Sequence, residues 1–493
     1  MRRSIFTILA LSCILGVSAQ QKPAGTAAAK PAPAKGRNIG ITLTPIKNAK
    51  VYLGSYYGES LIIADSAMLD EKSHGAFKGA TKLTGGVYFL VSPQKTMLPF
   101  DLLMDKEQQF SIVGDTSIRD HITITGSAEN DLYKSYSTMI NDKGRALSEI
   151  DKQLKTPGVS KDDSARLIAE RTKKDKELQA YRDEIVKKHP TTMLATLLSA
   201  MHLPTTPAIP VINGKADSSY PYRYVKNHYW DDVLFNDDRL LRTPFFDKKM
   251  NEYFKYYVSQ EPDSVIKEVK YILLSARTGK EIYPYLLTKF TNKYIKPEYM
   301  GQDKVFLYLF ENFYAKGDTM LLNPASRKSI TEEAYKLMAN QLGASAPPLD
   351  LTDTSGKIAS LYNISAPFTV VVFWDPNCGH CKEEIPKLDS IYEAKWKKYG
   401  LAVYSVYIYN SDLPAWKRFI HDQKLSGWTH VYETNEAKNA VEKAGKPSYR
   451  QLYHVDTTPT LYLLDKDKHI IAKQLSLEQF DDLIEAKRKA TGK

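Results

Sequence analysis

Val372-Phe373-Trp374-Asp375-Pro376-Asn377-Cys378-Gly379-His380-Cys381 carries an apolar run into a short turn and then into two cysteines separated by two residues. Thr369 to Trp374 has the length and the β-branched and aromatic content of a buried strand, and Cys381 to Lys398 reads as a helix. The pair therefore sits at a strand-to-helix junction, the context that gives this spacing a redox meaning. The chain holds three cysteines, and the third, Cys13, lies in an apolar N-terminal stretch. A bridge from Cys378 to Cys381 closes too short a loop to remove much entropy from the unfolded chain, so a structural staple is the weaker reading. At a helix N-terminus, unpaired N–H groups and the helix dipole favour an anion and lower the pKa of the first thiol. Cys378 is the expected nucleophile. Cys381, one turn inward, is the expected resolving thiol that attacks a mixed disulfide formed by Cys378. His380 places partial or full positive charge beside the thiolate, which stabilises the dithiol and makes the disulfide more oxidising.

Working outward, Gly343 to Pro348 is a small-residue and proline stretch that marks a boundary. Beyond it strands (Leu401 to Tyr409, Pro459 to Leu464, His469 to Ala472) alternate with helices (Leu413 to Gln423, Leu477 to Ala490), which predicts an α/β domain over 343–493. Residues 37–128 hold short strand-like runs, Ile39 to Leu43, Val51 to Leu53, Val87 to Val91, Phe110 to Val113 and Ile122 to Ile124, with turn residues between them. A small antiparallel β-sandwich domain is expected there. From 129 to 342 the period becomes helical, with Leu132, Tyr136, Ile140, Leu147, Ile150 and Leu154 on one face. Thr156-Pro157-Gly158 breaks that helix, and Ser160 followed by Asp163 signals the cap of a second helix running to His189-Pro190. Further helices are expected at Met250 to Val258, Ser264 to Ala276 and Val305 to Tyr314, their dense aromatic residues serving as core rather than as a ligand groove.

Residues 1–19 have the layout of an export signal: Arg2 and Arg3, an apolar core from Ile5 to Val17, and Val17-Ser18-Ala19 before Gln20. Cleavage there predicts an extracytoplasmic protein of the periplasm or cell envelope; a lipid anchor on Cys13 is the lesser alternative, because Ala10-Leu11-Ser12 is a poor match to the usual box. Residues 20–36, rich in Ala, Pro and Lys, read as a disordered tether. The formal charge of +11 becomes +9 without Arg2 and Arg3. Its lysines are scattered among acids rather than gathered into a stripe, which argues against nucleic-acid binding.

The ordered set around the cysteines resembles the thioredoxin superfamily, in particular its extracytoplasmic TlpA/ResA-like branch, over about 343–493. Ala346-Pro347 with Leu349-Asp350-Leu351 resembles the first strand of that branch, Asp353 to Gly356 its turn, Phe373-Trp374 the approach to the site, and Glu384-Ile385-Pro386 the acid and helix-kinking proline after the second cysteine. Thr458-Pro459-Thr460 resembles the cis-proline loop that faces the disulfide. The resemblance implies that the backbone of Thr458 pairs with an extended peptide substrate beside Cys378, with Trp374 and Asn377 contributing to substrate contact. Val372 stands where thioredoxin has a buried aspartate, so Glu384 is the candidate for proton transfer to and from Cys381. Asn377 replaces a common Trp, and Gly379-His380 is the dipeptide of protein disulfide isomerase. Upstream, residues 37–128 and the stretch Phe235 to Pro244 with Pro262-Asp263-Ser264 resemble the β domain and the uncharacterised helical domain of secreted Bacteroidetes proteins.

The implied activity is thiol-disulfide exchange on exported proteins, as a reductase fed by a membrane thiol relay, with no cofactor. Oxidase or isomerase work is the alternative, and a surface interaction protein using the fold as a frame is the rival of a different class. A zinc site would need His421 or His454 beside the two cysteines. A peroxidase would need Thr or Ser three residues before the cysteine and Pro seven before, where this chain has Asp375 and Val371.

Overall fold

The computed structural model describes residues 36–117, 122–320 and 322–490. The export signal expected over 1–19, Cys13, and the tether up to residue 35 lie outside them. No helix among the described residues is long and apolar enough to cross a membrane.

Eight strands open the chain: β1 (Arg37–Thr44), β2 (Lys50–Tyr57), β3 (Ser60–Met68), β4 (His74–Gly79), β5 (Gly86–Val91), β6 (Met97–Met104), β7 (Gln109–Asp115) and β8 (Ile122–Thr125). They form two four-stranded sheets, ordered β4-β1-β7-β8 and β3-β2-β5-β6. Alternate residues such as Ile39, Ile41, Val51, Leu53, Phe110 and Ile112 face inward between the sheets. The pairing is antiparallel except between β1 and β7, which run parallel with Ile39 opposite Phe110. The chain crosses between sheets several times before β7 returns beside β1, and local alternation in sequence carries no trace of that return. Strand β5 is apolar at every position because both its faces are covered. Tyr88 and Leu90 point into the sandwich, while Val87 packs with Leu194 and Leu198 of the helices outside it.

Helices α1 (Ala128–Leu154), α2 (Lys161–Lys188) and α3 (Met193–Met201) follow; Ser160 caps α2 by accepting the Asp163 N–H, as its sequence predicts. A small hairpin, β9 (Val211–Ile212) with β10 (Lys215–Ala216), precedes α4 (Tyr220–His228), α5 (Phe246–Tyr256), α6 (Pro262–Ser275), α7 (Ile282–Ile295), α8 (Asp303–Asn312) and α9 (Pro324–Met338). The aromatic residues of this region are mostly core: Tyr253, Phe254, Phe306 and Phe313 are buried together, whereas Tyr256 is exposed.

The C-terminal sheet comprises β11 (Asp350–Asp353), β12 (Ile358–Ser360), β13 (Phe368–Trp374), β14 (Ala402–Tyr407), β15 (Thr429–Tyr432), β16 (Thr460–Asp465) and β17 (Ile470–Lys473), in the order β12-β11-β15-β14-β13-β16-β17. Strands β13, β14 and β15 run parallel, and β16 and β17 add antiparallel on the far side of β13. Connecting helices are α10 (Gly379–Ala394), α11 (Leu413–Asp422), α12 (Asn435–Lys443), α13 (Tyr449–Leu452) and α14 (Leu477–Ala490). The period-2 pleat of β13 sends Val370, Val372 and Trp374 toward α10 and α14, and Val371 and Phe373 toward Tyr449 and Tyr453 on the other face. The helix expected to run from Cys381 to Lys398 ends at Ala394. Trp396 turns into the core, fully buried, and its indole N–H donates to Asp481 at 2.9 Å, which forces the break before a 3₁₀ turn.

Candidate functional site

Strand β13 stops at Trp374 because the next residues build a tight turn. Asp375 Oδ1 accepts the Asn377 N–H at 3.0 Å, and the Asp375 carbonyl accepts the Cys378 N–H at 3.1 Å. Cys378 is the N-cap residue of α10, in an extended conformation, and its carbonyl already accepts the Lys382 N–H. Both thiols are free; Cys378 is partly exposed and Cys381 is fully buried against Ile385 and Leu388. Across from them the Thr458–Pro459 peptide is cis, as the resemblance implied. The Cys378 thiol donates to the Thr458 carbonyl at 3.5 Å.

The two thiols are driven apart in acidity. Burial alone would raise Cys378, but the Thr458 hydroxyl and the backbone N–H groups of Cys381 and His380 stabilise its thiolate, and its pKa falls below the ordinary thiol value. Burial dominates at Cys381 and pushes it up to about 12. Over the whole neutral range Cys378 is the sulfur that ionises first.

His380 and Asn377 are exposed on the same turn, and the His380 backbone N–H is one of the groups that lower the Cys378 pKa. Glu384 forms an ion pair with Lys387 at 2.8 Å, and the groups that bear on the Cys381 thiol are Asp375, Cys378 and Thr458. Val372 is buried, with no acid in its place. The expectation that Trp374 touches substrate does not hold. Its ring is fully buried, tilted against Phe419, with its N–H committed to Ser405 Oγ at 2.7 Å. It supports the site from beneath.

That indole opens a buried polar chain that sequence reading missed. Trp374 donates to Ser405, Ser405 donates to His430 Nδ1 at 3.1 Å, and His430 Nε2 donates to the Leu425 carbonyl at 2.7 Å. The two bonds at His430 are those of a neutral imidazole, and burial lowers its pKa to about 4. A folded-state pKa below the unfolded value of about 6.5 means that stability is full above pH ~6.5 and is lost as pH falls toward 4, by up to about 3 kcal/mol. Urea denaturation at a series of pH values should show this slope, and His430→Gln should flatten it.

Among the described residues, the groupings able to offer a metal three ligands are Glu333 with His454 and Asp456, and Asp465 with Asp467 and His469. Neither includes a cysteine. Among the described residues, His421 pairs with Asp422 and His454 with Glu333 and Asp456, and neither stands in a grouping with the two thiols. In the first group Lys336 already neutralises the carboxylates, 3.2 Å from Asp456.

Comparison with known proteins agrees with this architecture. Residues 342–473 match the AhpC/TSA family, and residues 168–321 match a domain of unknown function (DUF5106). The thiol-disulfide oxidoreductases ResA of Bacillus thuringiensis (strain Al Hakam) and Bacillus anthracis are each 27% identical over 145 residues, 29% of this chain and 75% of theirs. Among solved structures, a domain of a possible thiol-disulfide isomerase from Cytophaga hutchinsonii is 35% identical, covering 31% of this chain and 97% of that one, with a TM-score of 0.26. A thioredoxin-like protein from Bacteroides caccae is 21% identical, covering 57% and 98%, with a TM-score of 0.44. The C-terminal domain belongs to the thioredoxin superfamily. Within it, the domain is of the TlpA/ResA-like kind, a thiol-disulfide oxidoreductase class. Asp375 and Val371 stand where peroxidase chemistry would need Thr or Ser and Pro, so the AhpC/TSA match carries fold rather than peroxidase activity.

Proposed function

We propose that this chain is an extracytoplasmic thiol-disulfide oxidoreductase that reduces exported proteins through the Cys378–Cys381 pair. The observation that carries the reading is the opposite displacement of the two thiol pKa values on one helical turn, facing the Thr458 carbonyl. In the reducing direction the Cys378 thiolate attacks one sulfur of a substrate disulfide. A Cys378–substrate disulfide forms and one substrate thiolate leaves. Cys381 then gives up its proton and attacks Cys378 Sγ, forming the Cys378–Cys381 disulfide and releasing the second substrate thiolate. Two electrons have passed to the substrate, and the departing thiolates take up the protons. Glu384, paired with Lys387, is the candidate acid for proton transfer to and from Cys381 in this step. Thr458 and exposed Asn377 offer the polar contacts for an extended peptide, and Pro459 shapes that loop. The export layout of residues 1–19 supports a periplasmic or envelope location, and a membrane thiol relay would return the electrons. Domain limits at 37–128, 129–342 and 343–493 are part of the same proposal.

His380 favours a second direction, toward oxidase or isomerase work. Equilibration with glutathione separates the two: a potential of roughly −270 mV supports the reductase, and about −180 mV or above supports oxidation or isomerisation. Iodoacetamide labelling of the reduced protein should modify Cys378 alone at neutral pH, with a rate that rises through a midpoint below about 8.5, the value of a free thiol. Absence of both that midpoint and insulin reduction would leave the domain as a frame for a binding protein.

A further inference from the structure

Helix α9 and the residues just after it meet the C-terminal sheet on both sides of Pro459. On the side before the proline, His454 Nε2 lies 2.9 Å from Glu333 Oε1 and 3.1 Å from Asp456 Oδ2. Lys336 Nζ lies 3.2 Å from the same Asp456 oxygen and 3.5 Å from Glu333. Asn340 donates to the Leu452 carbonyl at 3.0 Å. On the side after the proline, β16 pairs with β17, and Lys473 of β17 donates to Asn340 Oδ1 at 2.6 Å and to Asp303 of α8 at 2.7 Å. Asn340 thus joins both flanks. Asp456 stands two residues before Thr458, whose carbonyl accepts the Cys378 thiol.

Within its own domain the loop is tied by the Thr460 hydroxyl, which donates to the Thr457 carbonyl at 2.6 Å, and by buried Val455; its charged side chains turn to α9. Asp456 and Thr457 are exposed, and His454 takes a left-handed backbone conformation, with φ of 47°, to turn the chain toward α9. A single exposed ion pair would contribute little. Here an imidazole, an ammonium and two carboxylates form one network, with His454 and Glu333 largely buried. Burial alone would raise the Glu333 carboxyl, yet His454 and Lys336 hold it below the usual carboxylate value. Reactive geometry is sensitive to displacements of about 1 Å, so fixing this loop is enough to govern exchange at the sulfur it faces.

We propose that Glu333 and Lys336 are positioning residues for disulfide exchange: from the helical domain they hold the cis-proline loop, through His454 and Asp456, against Cys378. This rests on the redox reading of the cysteine pair. It also gives the helical domain a part in the chemistry, one that no sequence motif there announces.

The test uses the full chain carrying Glu333→Gln or Lys336→Met, with Lys336→Arg as the conservative variant. Lys328→Met serves as control, because it breaks a ~4 Å pair with Glu332 on the exposed side of the same helix. Iodoacetamide labelling of Cys378 is followed against pH, and exchange with a peptide disulfide is followed well below the unfolding temperature of every variant. Glu333→Gln and Lys336→Met are expected to move the labelling midpoint to higher pH and to slow exchange roughly threefold to tenfold. Lys336→Arg should restore both, and Lys328→Met should leave both unchanged. Wild-type labelling and rates in Glu333→Gln and Lys336→Met overturn the proposal. So does slower exchange with an unmoved labelling midpoint, which would make α9 a structural support only. Failure of the wild-type chain to exchange at all overturns the redox reading instead.

Discussion

Cys378→Ser is expected to lose at least about 10³-fold in disulfide exchange, falling to the uncatalysed rate, while Cys381→Ser is expected to stop after one attack. The two cysteines differ in exposure and in acidity, and the two variants should fail differently for that reason. Cys378 is the sulfur that both ionises below the ordinary thiol value and reaches solvent. Serine in its place leaves the turn, the helix cap and the Thr458 carbonyl intact but offers no thiolate, so substrate disulfides meet no nucleophile. Cys381 is fully buried, its pKa pushed up to about 12, and it cannot substitute for the missing thiolate at neutral pH. In Cys381→Ser the first attack proceeds and the mixed disulfide has no neighbour to resolve it. Non-reducing electrophoresis and intact mass should show a stable adduct of Cys381→Ser with a substrate protein and none with Cys378→Ser. Equal residual insulin reduction by wild type and Cys378→Ser would remove the enzyme reading altogether.

How far the site could be read from sequence depends on the range of the interaction involved. The turn, the cap and the helix at Cys378 are local, set by Asp375, Pro376 and the period of α10, and the sequence reading reaches them. The cis bond at Thr458–Pro459 was legible through family resemblance, because nothing in Thr-Thr-Pro-Thr alone distinguishes it. Trp374 was misread: a tryptophan beside a reactive cysteine looks like a substrate contact, and only the pleat of β13 shows that its ring points inward to Ser405. His430 lies in a four-residue strand too short for its alternation to be seen, and its partners are 25 residues away at Ser405 and on the loop at Leu425. Strand β1 lies parallel to β7 for the same reason: pairings across seventy residues leave no local pattern. The contacts of α9 with the cis-proline loop are longer still, more than a hundred residues apart, and they join charged side chains that in sequence look like an ordinary solvated helix face.

Lys473→Met should cost about 3–5 kcal/mol, the range for removing one partner of a buried ion pair. Lys473 and Asp303 are 3% and 6% exposed at their side chains, 2.7 Å apart, and they belong to different layers, the edge strand of the C-terminal sheet and the first turn of α8. Burial lowers the Lys473 pKa and Asp303 opposes that shift, so the ammonium persists because its counter-charge is there. With Lys473 gone, Asp303 keeps the Gln341 amide at 2.7 Å, which supplies one hydrogen bond and no charge. Adding Asp303→Asn should recover part of the loss, because it removes the stranded charge. Urea unfolding followed by tryptophan fluorescence reads the result with little ambiguity: Trp374, Trp396, Trp416 and Trp428 lie in the C-terminal domain, and Trp230 in the helical core. If the pair only stabilises, one transition shifts to lower urea with its slope preserved. If it also couples the two layers, the transition splits, and the C-terminal tryptophans and the helical signal in circular dichroism no longer move together. An unshifted transition would mean that the interface is held by its apolar contacts and that Lys473 is merely tolerated there. Asn340 accepts from Lys473 and donates to the Leu452 carbonyl ahead of the cis-proline loop, so a split transition would also predict altered labelling of Cys378 in Lys473→Met. The stability of the interface and the reactivity of the thiol would then be two readings of one set of contacts.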